Sequence, residues 1–207
     1  MATTTAATTT DLEVFSQAPP APPRRPRVLL VGTALAAGSA AMVILSLIAL
    51  YAGLRSDVIA AGEVWLPEEG DLQLTPGSMG MVTLLLSLVT VAWAVQALRN
   101  DDRGHALMAF GISLVLGAAY INGAAFGWQQ FGLGITSSTQ ALLIYTITGL
   151  HVAMAGVGML YLAVMGFRAV GGQLTGRAAE GVSAAALFWF VTVGVYAVVW
   201  YTITVVK

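Results

Sequence analysis

Long apolar runs without a single Asp, Glu, Lys or Arg divide the chain into five candidate membrane spans. A helix needs about 20 apolar residues to cross the hydrocarbon of a bilayer, and these runs provide that length. They are apolar on every face and show no two-residue alternation, which favours helices over the strands of a barrel. The predicted spans are residues 28–51, 79–98, 106–128, 140–167 and 182–206. The pattern therefore predicts an all-α integral membrane bundle of five transmembrane helices.

The first 27 residues differ from the rest of the chain. They join a Thr/Ala-rich segment to five closely spaced prolines, a composition that predicts a disordered tail. The arginines of this tail come directly before the first apolar run, whereas a signal peptide carries its basic residues first. We therefore interpret residues 28–51 as a retained helix, and we expect a tail over residues 1–27 and one transmembrane domain over residues 28–207.

The placement of basic residues predicts the orientation of the bundle. With the N-terminus inside, the inner segments hold seven basic residues and the outer segments hold two. The inner set is Arg24, Arg25, Arg27, Arg99, Arg103, Arg168 and Arg177, and the outer set is Arg55 and Lys207. Because cytoplasmic segments carry an excess of Lys and Arg, we expect a cytoplasmic tail and a C-terminus on the outer side.

Composition excludes several classes of protein. Charged residues make up 9% of the chain and hydrophobic residues 57%, whereas a soluble domain carries about 25% charged residues. An ordinary soluble enzyme is therefore excluded. The net charge of −1 provides no basic surface for nucleic acid. The sequence contains no cysteine, which excludes disulfides, iron–sulfur clusters and cysteine catalysis.

The fourth span contains an ionisable residue, His151, and an ionisable residue inside a membrane is a functional-site hypothesis by default. Tyr145, Thr148 and His151 are three residues apart and share a helix face, which predicts a small hydrogen-bonded stripe. A haem or metal site needs more ligands, yet the predicted spans hold no second histidine and no carboxylate. We therefore favour a packed, hydrogen-bonded His151, and we predict no catalytic, metal-binding or cofactor-binding residue in this chain.

Two further features favour an accessory protein. Asp101, Asp102 and His105 share a short inner turn, where we expect them to be solvated rather than to work as acid and base. Proton pumps and ion transporters place charged side chains along their path, and the predicted spans hold none. The residues therefore indicate a structural or accessory membrane subunit, while a channel for neutral solutes stays open as an alternative.

The order of features along the chain resembles subunit III of haem–copper oxidases (cytochrome c oxidase), in its five-helix form. In the first span, Ser39, Met42, Tyr51 and Arg55 match the family's opening helix, and Ala40 stands where the family has Glu. Trp65, Pro67 and Pro76 resemble the Trp-Pro loop and the proline that opens the second helix. The likeness covers residues 28–207, and the first 27 residues lie outside it.

The fourth and fifth spans carry the most specific part of this resemblance. Thr148, Gly149 and His151 are similar to the start of the family's Thr-Gly-x-His-Gly-x-His motif, and Met154 replaces the second histidine. The last span is similar to the family's Tyr-Trp-His-Phe-Val-Asp helix. In that helix Phe188, Phe190 and Val191 match, whereas Trp189 replaces the histidine and Thr192 replaces the aspartate.

The resemblance implies a non-catalytic subunit in the cell membrane of a bacterium, packed beside an oxidase subunit I that carries haem and copper. Subunit II, further respiratory-complex subunits and membrane lipid are the other expected partners. His151, Tyr145, Thr148 and Arg55 are the residues expected to contact lipid or a neighbouring subunit. The alternatives are a subunit-III-like accessory protein of a nitric oxide reductase and a small-solute transporter.

Overall fold

Five long helices and a short π-helix make up the described part of the chain. The computed structural model describes residues 27–66, 70, 72–173 and 177–206. The helices are α1 (Val28–Ala60), α2 (Leu74–Arg99), α3 (Arg103–Gln130), α4 (Thr139–Val170) and α5 (Arg177–Trp200), and α5 continues into a π-helix at Tyr201–Val205. This part contains no strand, so the predicted all-α bundle of five transmembrane helices is confirmed. The orientation stays a prediction, and residues 1–26 of the predicted tail lie outside the described residues.

Each helix extends at one or both ends beyond the charge-free run that predicted it. The clearest example is α1, whose 33 residues continue past Tyr51 through Arg55 and Asp57 to Ala60. The predicted span ended at Tyr51, shortly before the first charge at Arg55, but the helix keeps its backbone hydrogen bonds when the side chains become polar. At 1.5 Å per residue α1 is about 50 Å long, against about 30 Å of bilayer hydrocarbon. Its end therefore extends beyond the hydrocarbon or the helix is tilted.

Local sequence explains where the helices begin and end. At the end of α1, Gly62 adopts a φ of 78°, a left-handed conformation that glycine accepts without strain. The backbone N–H of Gly62 then bonds to the Ile59 carbonyl, and the N–H of Glu63 bonds to the Val58 carbonyl, which is the Schellman arrangement. At the start of α4, the Ser138 hydroxyl caps the helix by accepting from the Ala141 N–H at 3.1 Å.

Asp102 caps the start of α3 on the turn that joins it to α2. Its carboxylate accepts from the His105 backbone N–H at 3.1 Å and contacts the His105 ring nitrogen Nδ1 at 2.6 Å. The backbone hydrogen bond, followed by the side-chain hydrogen bond, lowers the pKa of Asp102. His105 and Asp102 are thus solvent-exposed partners, as expected for residues on a polar turn.

The Asp102 cap should make a small contribution to stability that depends on pH. A lowered folded-state pKa means that the carboxylate stabilises the protein above its unfolded pKa of about 4, and that this gain is lost as the pH falls through the lowered value. Asp102→Asn keeps a capping side chain without the charge. We expect wild type to have the higher thermal midpoint at pH 7, with the difference vanishing on acidification. A difference that grows at low pH would contradict this.

The fifth helix occupies the centre of the bundle. It packs against α1, α2 and α4, while α3 packs between α2 and α4. In the most apolar 18-residue stretch of each helix, 61% of the residues are buried in the α5 stretch, whereas 11% are buried in the α1 stretch. Most of the α1 surface therefore faces outward, toward lipid or another protein.

Small residues on α4 permit the close approach of α5. A Cβ atom added at Gly158 would lie 2.8 Å from Cε3 of Trp189, a fully buried ring on α5. A Cβ atom at Gly156, two residues earlier on the same helix, would meet nothing within 4 Å. Gly158 is thus a contact position, whereas Gly156 faces open space.

These two glycines provide a matched pair of substitutions. Alanine is the better helix former by about 1 kcal/mol, but at position 158 its methyl group would displace a rigid ring, at a cost of about 1–3 kcal/mol. We expect Gly158→Ala to lower the free energy of unfolding and Gly156→Ala to leave it equal or higher. Unfolding in mixed detergent micelles, followed by circular dichroism, measures both. Equal effects at the two positions would show that α4 and α5 are not in close contact.

Candidate functional site

The His151 ring lies in the centre of the bundle and connects three helices. Its side chain is fully buried on α4. Its Nδ1 lies 2.7 Å from the Tyr120 hydroxyl of α3, and its Nε2 lies 2.9 Å from the Thr192 backbone oxygen of α5. A carbonyl oxygen can only accept, so Nε2 must carry the proton. With the ring neutral, Nδ1 accepts from the Tyr120 hydroxyl.

Tyr196 extends this group to a fourth helix. The rings of Tyr120, His151 and Tyr196 contact one another with centroid separations of 4.9–5.5 Å. The Tyr196 hydroxyl donates to the Gly77 carbonyl of α2 at 3.0 Å. We call Tyr120, His151, Thr192 and Tyr196 the His151 cluster. It joins α2, α3, α4 and α5 through buried or partly buried hydrogen bonds.

A second polar contact, nearer the start of α5 than Thr192 and Tyr196, joins that helix to α2. The Trp189 ring nitrogen donates to the Ser87 hydroxyl at 2.8 Å, and that hydroxyl donates to the Leu84 carbonyl at 2.6 Å. One turn away, the hydroxyls of Thr90 and Ser113 lie 2.6 Å apart and join α2 to α3. Each polar group is therefore satisfied inside the chain.

The resemblance places three substituted family positions in this interior. Met154 and Trp189 stand where the family has histidines, and Thr192 stands where it has aspartate. All three are buried, and the Thr192 hydroxyl donates to the Phe188 carbonyl of its own helix. Apolar or neutral side chains with internal partners fill these positions.

Tyr145 and Thr148 do not form a hydrogen-bonded stripe with His151. The Tyr145 hydroxyl lies 3.0 Å from the Leu133 carbonyl and 3.2 Å from the Trp128 carbonyl. The Thr148 hydroxyl accepts from the Trp128 ring nitrogen at 2.9 Å and donates to the Ile144 carbonyl. All three side chains bond to groups on neighbouring segments and not to one another. Their shared face therefore joins α4 to α3, to α5 and to the α3–α4 loop.

Arg55 lies near the end of α1, close to the C-terminal end of the described chain. Its Nη2 donates to the Val206 carbonyl at 2.9 Å. Nearby, the Trp65 ring nitrogen donates to the Tyr51 hydroxyl at 2.9 Å, and the two rings stack edge-to-face. These contacts fasten the loop and the C-terminal end against α1. Contact of Arg55 with lipid or another subunit stays a prediction.

The polar contacts of the interior join the helices to one another. Among the described residues, no cluster of three or more His, Cys, Asp or Glu could hold a metal ion. In that same part of the chain, every buried side-chain nitrogen or oxygen has a hydrogen-bond partner. The buried polar side chains are thus all engaged in packing contacts within the chain.

Sequence reasoning missed four polar residues that belong to these contacts. They are Tyr120, Ser87, Thr90 and Ser113. The signal that was available is the spacing of Ser87 and Thr90, three residues apart on one face of α2, within its otherwise apolar stretch over residues 84–95. Tyr120 gave no such signal, because its partner lies on another helix.

The comparisons with known proteins all point to one family. The family model described as cytochrome c oxidase subunit III matches residues 27–206. The chain is 26% identical over 156 residues to cytochrome c oxidase subunit 3 of Bacillus subtilis, covering 73% of each protein. It is 26% identical over 166 residues to that of Synechocystis, covering 79% of this chain and 70% of the relative.

Another match covers less of its relative. The chain is 32% identical over 108 residues to a probable cytochrome c oxidase subunit 3 of Rickettsia conorii. That stretch is 51% of this chain and 38% of the Rickettsia protein. The matched region thus spans well under half the length of that relative.

Proposed function

Since the chain belongs to the cytochrome c oxidase subunit III family, we propose that it is the non-catalytic subunit III of a respiratory haem–copper terminal oxidase. The observation that carries this proposal is the family match over residues 27–206, which includes all five helices. In this role the chain stabilises the catalytic subunit during aerobic electron transport and performs no redox chemistry itself.

The proposed partners follow from the family and from the exposed surface. Subunit I, with haem and copper, packs beside the bundle, and subunit II and further respiratory-complex subunits complete the assembly. The largely exposed α1 offers a broad apolar surface for lipid or protein. The chain is a multi-pass membrane protein, and the relatives in Bacillus and Synechocystis support the bacterial plasma membrane as its location.

The four predicted contact residues take different parts in this proposal. His151 is fully buried, which favours its structural role over direct contact with lipid. Tyr145 and Thr148 are partly buried beside the α3–α4 loop, and Arg55 is partly exposed near the end of α1. We keep these three as contacts to lipid or to a neighbouring subunit.

The relatives are cytochrome c oxidase subunits 3, which favours an oxidase over the two alternatives, an accessory protein of a nitric oxide reductase and a small-solute transporter. The absence of charged side chains from the middle of the described helices also disfavours ion transport.

Affinity purification of the tagged chain from its native membrane, in mild detergent, tests the proposal. We expect haem absorption in the purified sample and, by mass spectrometry, subunits I and II. Recovery of a catalytic subunit that carries non-haem iron would identify the complex as a nitric oxide reductase and not an oxidase. A colourless chain that is reproducibly recovered without partners, while the oxidase sediments elsewhere, would overturn the proposal.

A further inference from the structure

A largely apolar cavity of about 100 Å³ lies at the end of the bundle where α3 and α5 end and α2 and α4 begin. Two glycines of α2 and two of α3 line one part of its wall with bare backbone. Aromatic side chains line another part, and they are Tyr120, Trp128, Phe131, Tyr196 and Trp200. Aromatic rings and backbone without side chains form a surface that suits a flat apolar group.

A trench of about 390 Å³ between α2 and α3 adjoins this cavity. The cavity and the trench share four lining residues, which are Gln73, Pro76, Gly80 and Gly123. From Gln73 to Thr83 the trench follows ten residues of α2, a length of about 15 Å. Met79 and Phe126 also line it, and both are exposed on the outside of the bundle. The trench therefore leads from the cavity to the surrounding hydrocarbon.

The polarity of these walls favours a neutral ligand. The described residues that line the cavity and the trench include no Asp, Glu, Lys, Arg or His. A phosphate or an ammonium group inside would therefore lack a counter-charge, which makes its burial costly. The Gln73 amide and the Thr204 hydroxyl line the cavity, and neither has a hydrogen-bond partner among the described residues. They offer donors to a neutral ligand that carries oxygen atoms.

The dimensions favour one ring with one tail. An apolar cavity of about 150 Å³ in another protein binds benzene. The present cavity and the adjoining part of the trench are thus together large enough for a single six-membered ring. A single hydrocarbon tail attached to that ring can follow the trench to the outside of the bundle.

We propose that the cavity binds the ring of an isoprenoid quinone, whose tail leaves through the trench between α2 and α3. A quinone is neutral, has a planar ring with two carbonyl oxygens and carries one apolar tail, and each of these properties matches a part of the site. The Gln73 amide and the Thr204 hydroxyl donate to the ring oxygens, and Trp128 and Trp200 pack against the ring. The proposal concerns binding alone and requires no particular partner subunit. Its failure would leave the oxidase proposal unchanged.

Photolabelling of the full-length chain, purified with its assembly, tests the proposal with an azido-substituted short-tail benzoquinone. We expect peptide mapping by mass spectrometry to find the label on α2 near Gly77 or on α5 near Trp200, and decylubiquinone should compete with it.

Two variants separate the shape of the site from its polarity. Gly123→Leu places a side chain where an added Cβ meets no atom within 4 Å. It should block the junction of cavity and trench and lower the labelling about tenfold or more. Thr204→Val removes the hydroxyl with little change of volume. It should weaken the competition by decylubiquinone about two- to tenfold, the range for the loss of one neutral hydrogen bond.

The matched control is Gly111→Leu, which makes the same change on α3 about 18 Å from Gly123. A Cβ added at Gly111 also meets no atom within 4 Å, so this variant should fold and leave the labelling unchanged. Labelling that neither Gly123→Leu nor Thr204→Val weakens would overturn the proposal. So would phosphatidylglycerol that competes as well as decylubiquinone, or label found only outside α2, α3 and α5.

Discussion

Trp189→Ala is expected to destabilise the bundle by about 3–5 kcal/mol, the usual cost of truncating a large buried aromatic side chain. The ring is fully buried, lies against Gly158 of α4 and donates to Ser87 of α2. Its removal leaves a cavity where three helices meet and deprives the Ser87 hydroxyl of its donor. Unfolding in mixed micelles, followed by circular dichroism, gives the change in the free energy of unfolding.

Trp93→Ala is the control for this substitution. Trp93 lies on α2, is 37% exposed and contacts the His105 ring at the membrane edge. Its truncation should cost less than about 1 kcal/mol, since most surface substitutions change stability by about 0.5 kcal/mol. Equal losses of stability in the two variants would contradict the placement of Trp189 at the centre of the bundle.

His151→Phe is expected to cost about 2 kcal/mol and to lower the yield of the assembled complex. The substitution leaves the Tyr120 hydroxyl without its acceptor and the Thr192 carbonyl without the imidazole proton. Such buried groups cost about 1–3 kcal/mol each when measured in soluble proteins, and hydrogen bonds within membranes average about 0.6 kcal/mol. If the proposed function is correct, the haem spectrum of the complex that survives should be unchanged, because both His151 ring nitrogens contact protein atoms.

A double-mutant cycle with Tyr120→Phe separates this explanation from a simple loss of packing. If the two side chains are bonded as described, the double variant should lose less stability than the sum of the single variants. Additive losses would show that the contact contributes nothing. An intact complex that lacks its haem band would place His151 at a cofactor and contradict its structural role.

The number and type of the helices could be predicted from the sequence, but not which faces pack together. Each charge-free run matches the thickness of a bilayer, which leaves helices as the practical solution for the backbone. In a soluble helix the polar face marks the outside. In α1 or α5 the outside is itself apolar, so Ala37, which is buried, and Leu35, which is exposed, look equivalent in the sequence.

The same limitation explains what could be found of the candidate site. His151 was recognisable because an ionisable side chain in mid-membrane is unusual. Its partners, Tyr120 and the Thr192 carbonyl, lie on other helices, and no spacing within one helix indicates them. The predicted stripe with Tyr145 and Thr148 had the correct face, but the three side chains bond to α3, α5 and the α3–α4 loop and not to one another.

The central position of α5 also has a consequence for biogenesis. This helix follows the other four along the chain, and a ribosome adds about 5–20 residues per second. Between the insertion of α1 and that of α5, on the order of ten seconds pass in which α1 lacks its largest interhelical contact, the one with α5. During that interval the nascent bundle lacks its core. Recognition by membrane quality-control proteases should therefore depend on whether α5 arrives, and a premature stop before residue 177 should yield a chain that is degraded rather than a smaller stable subunit.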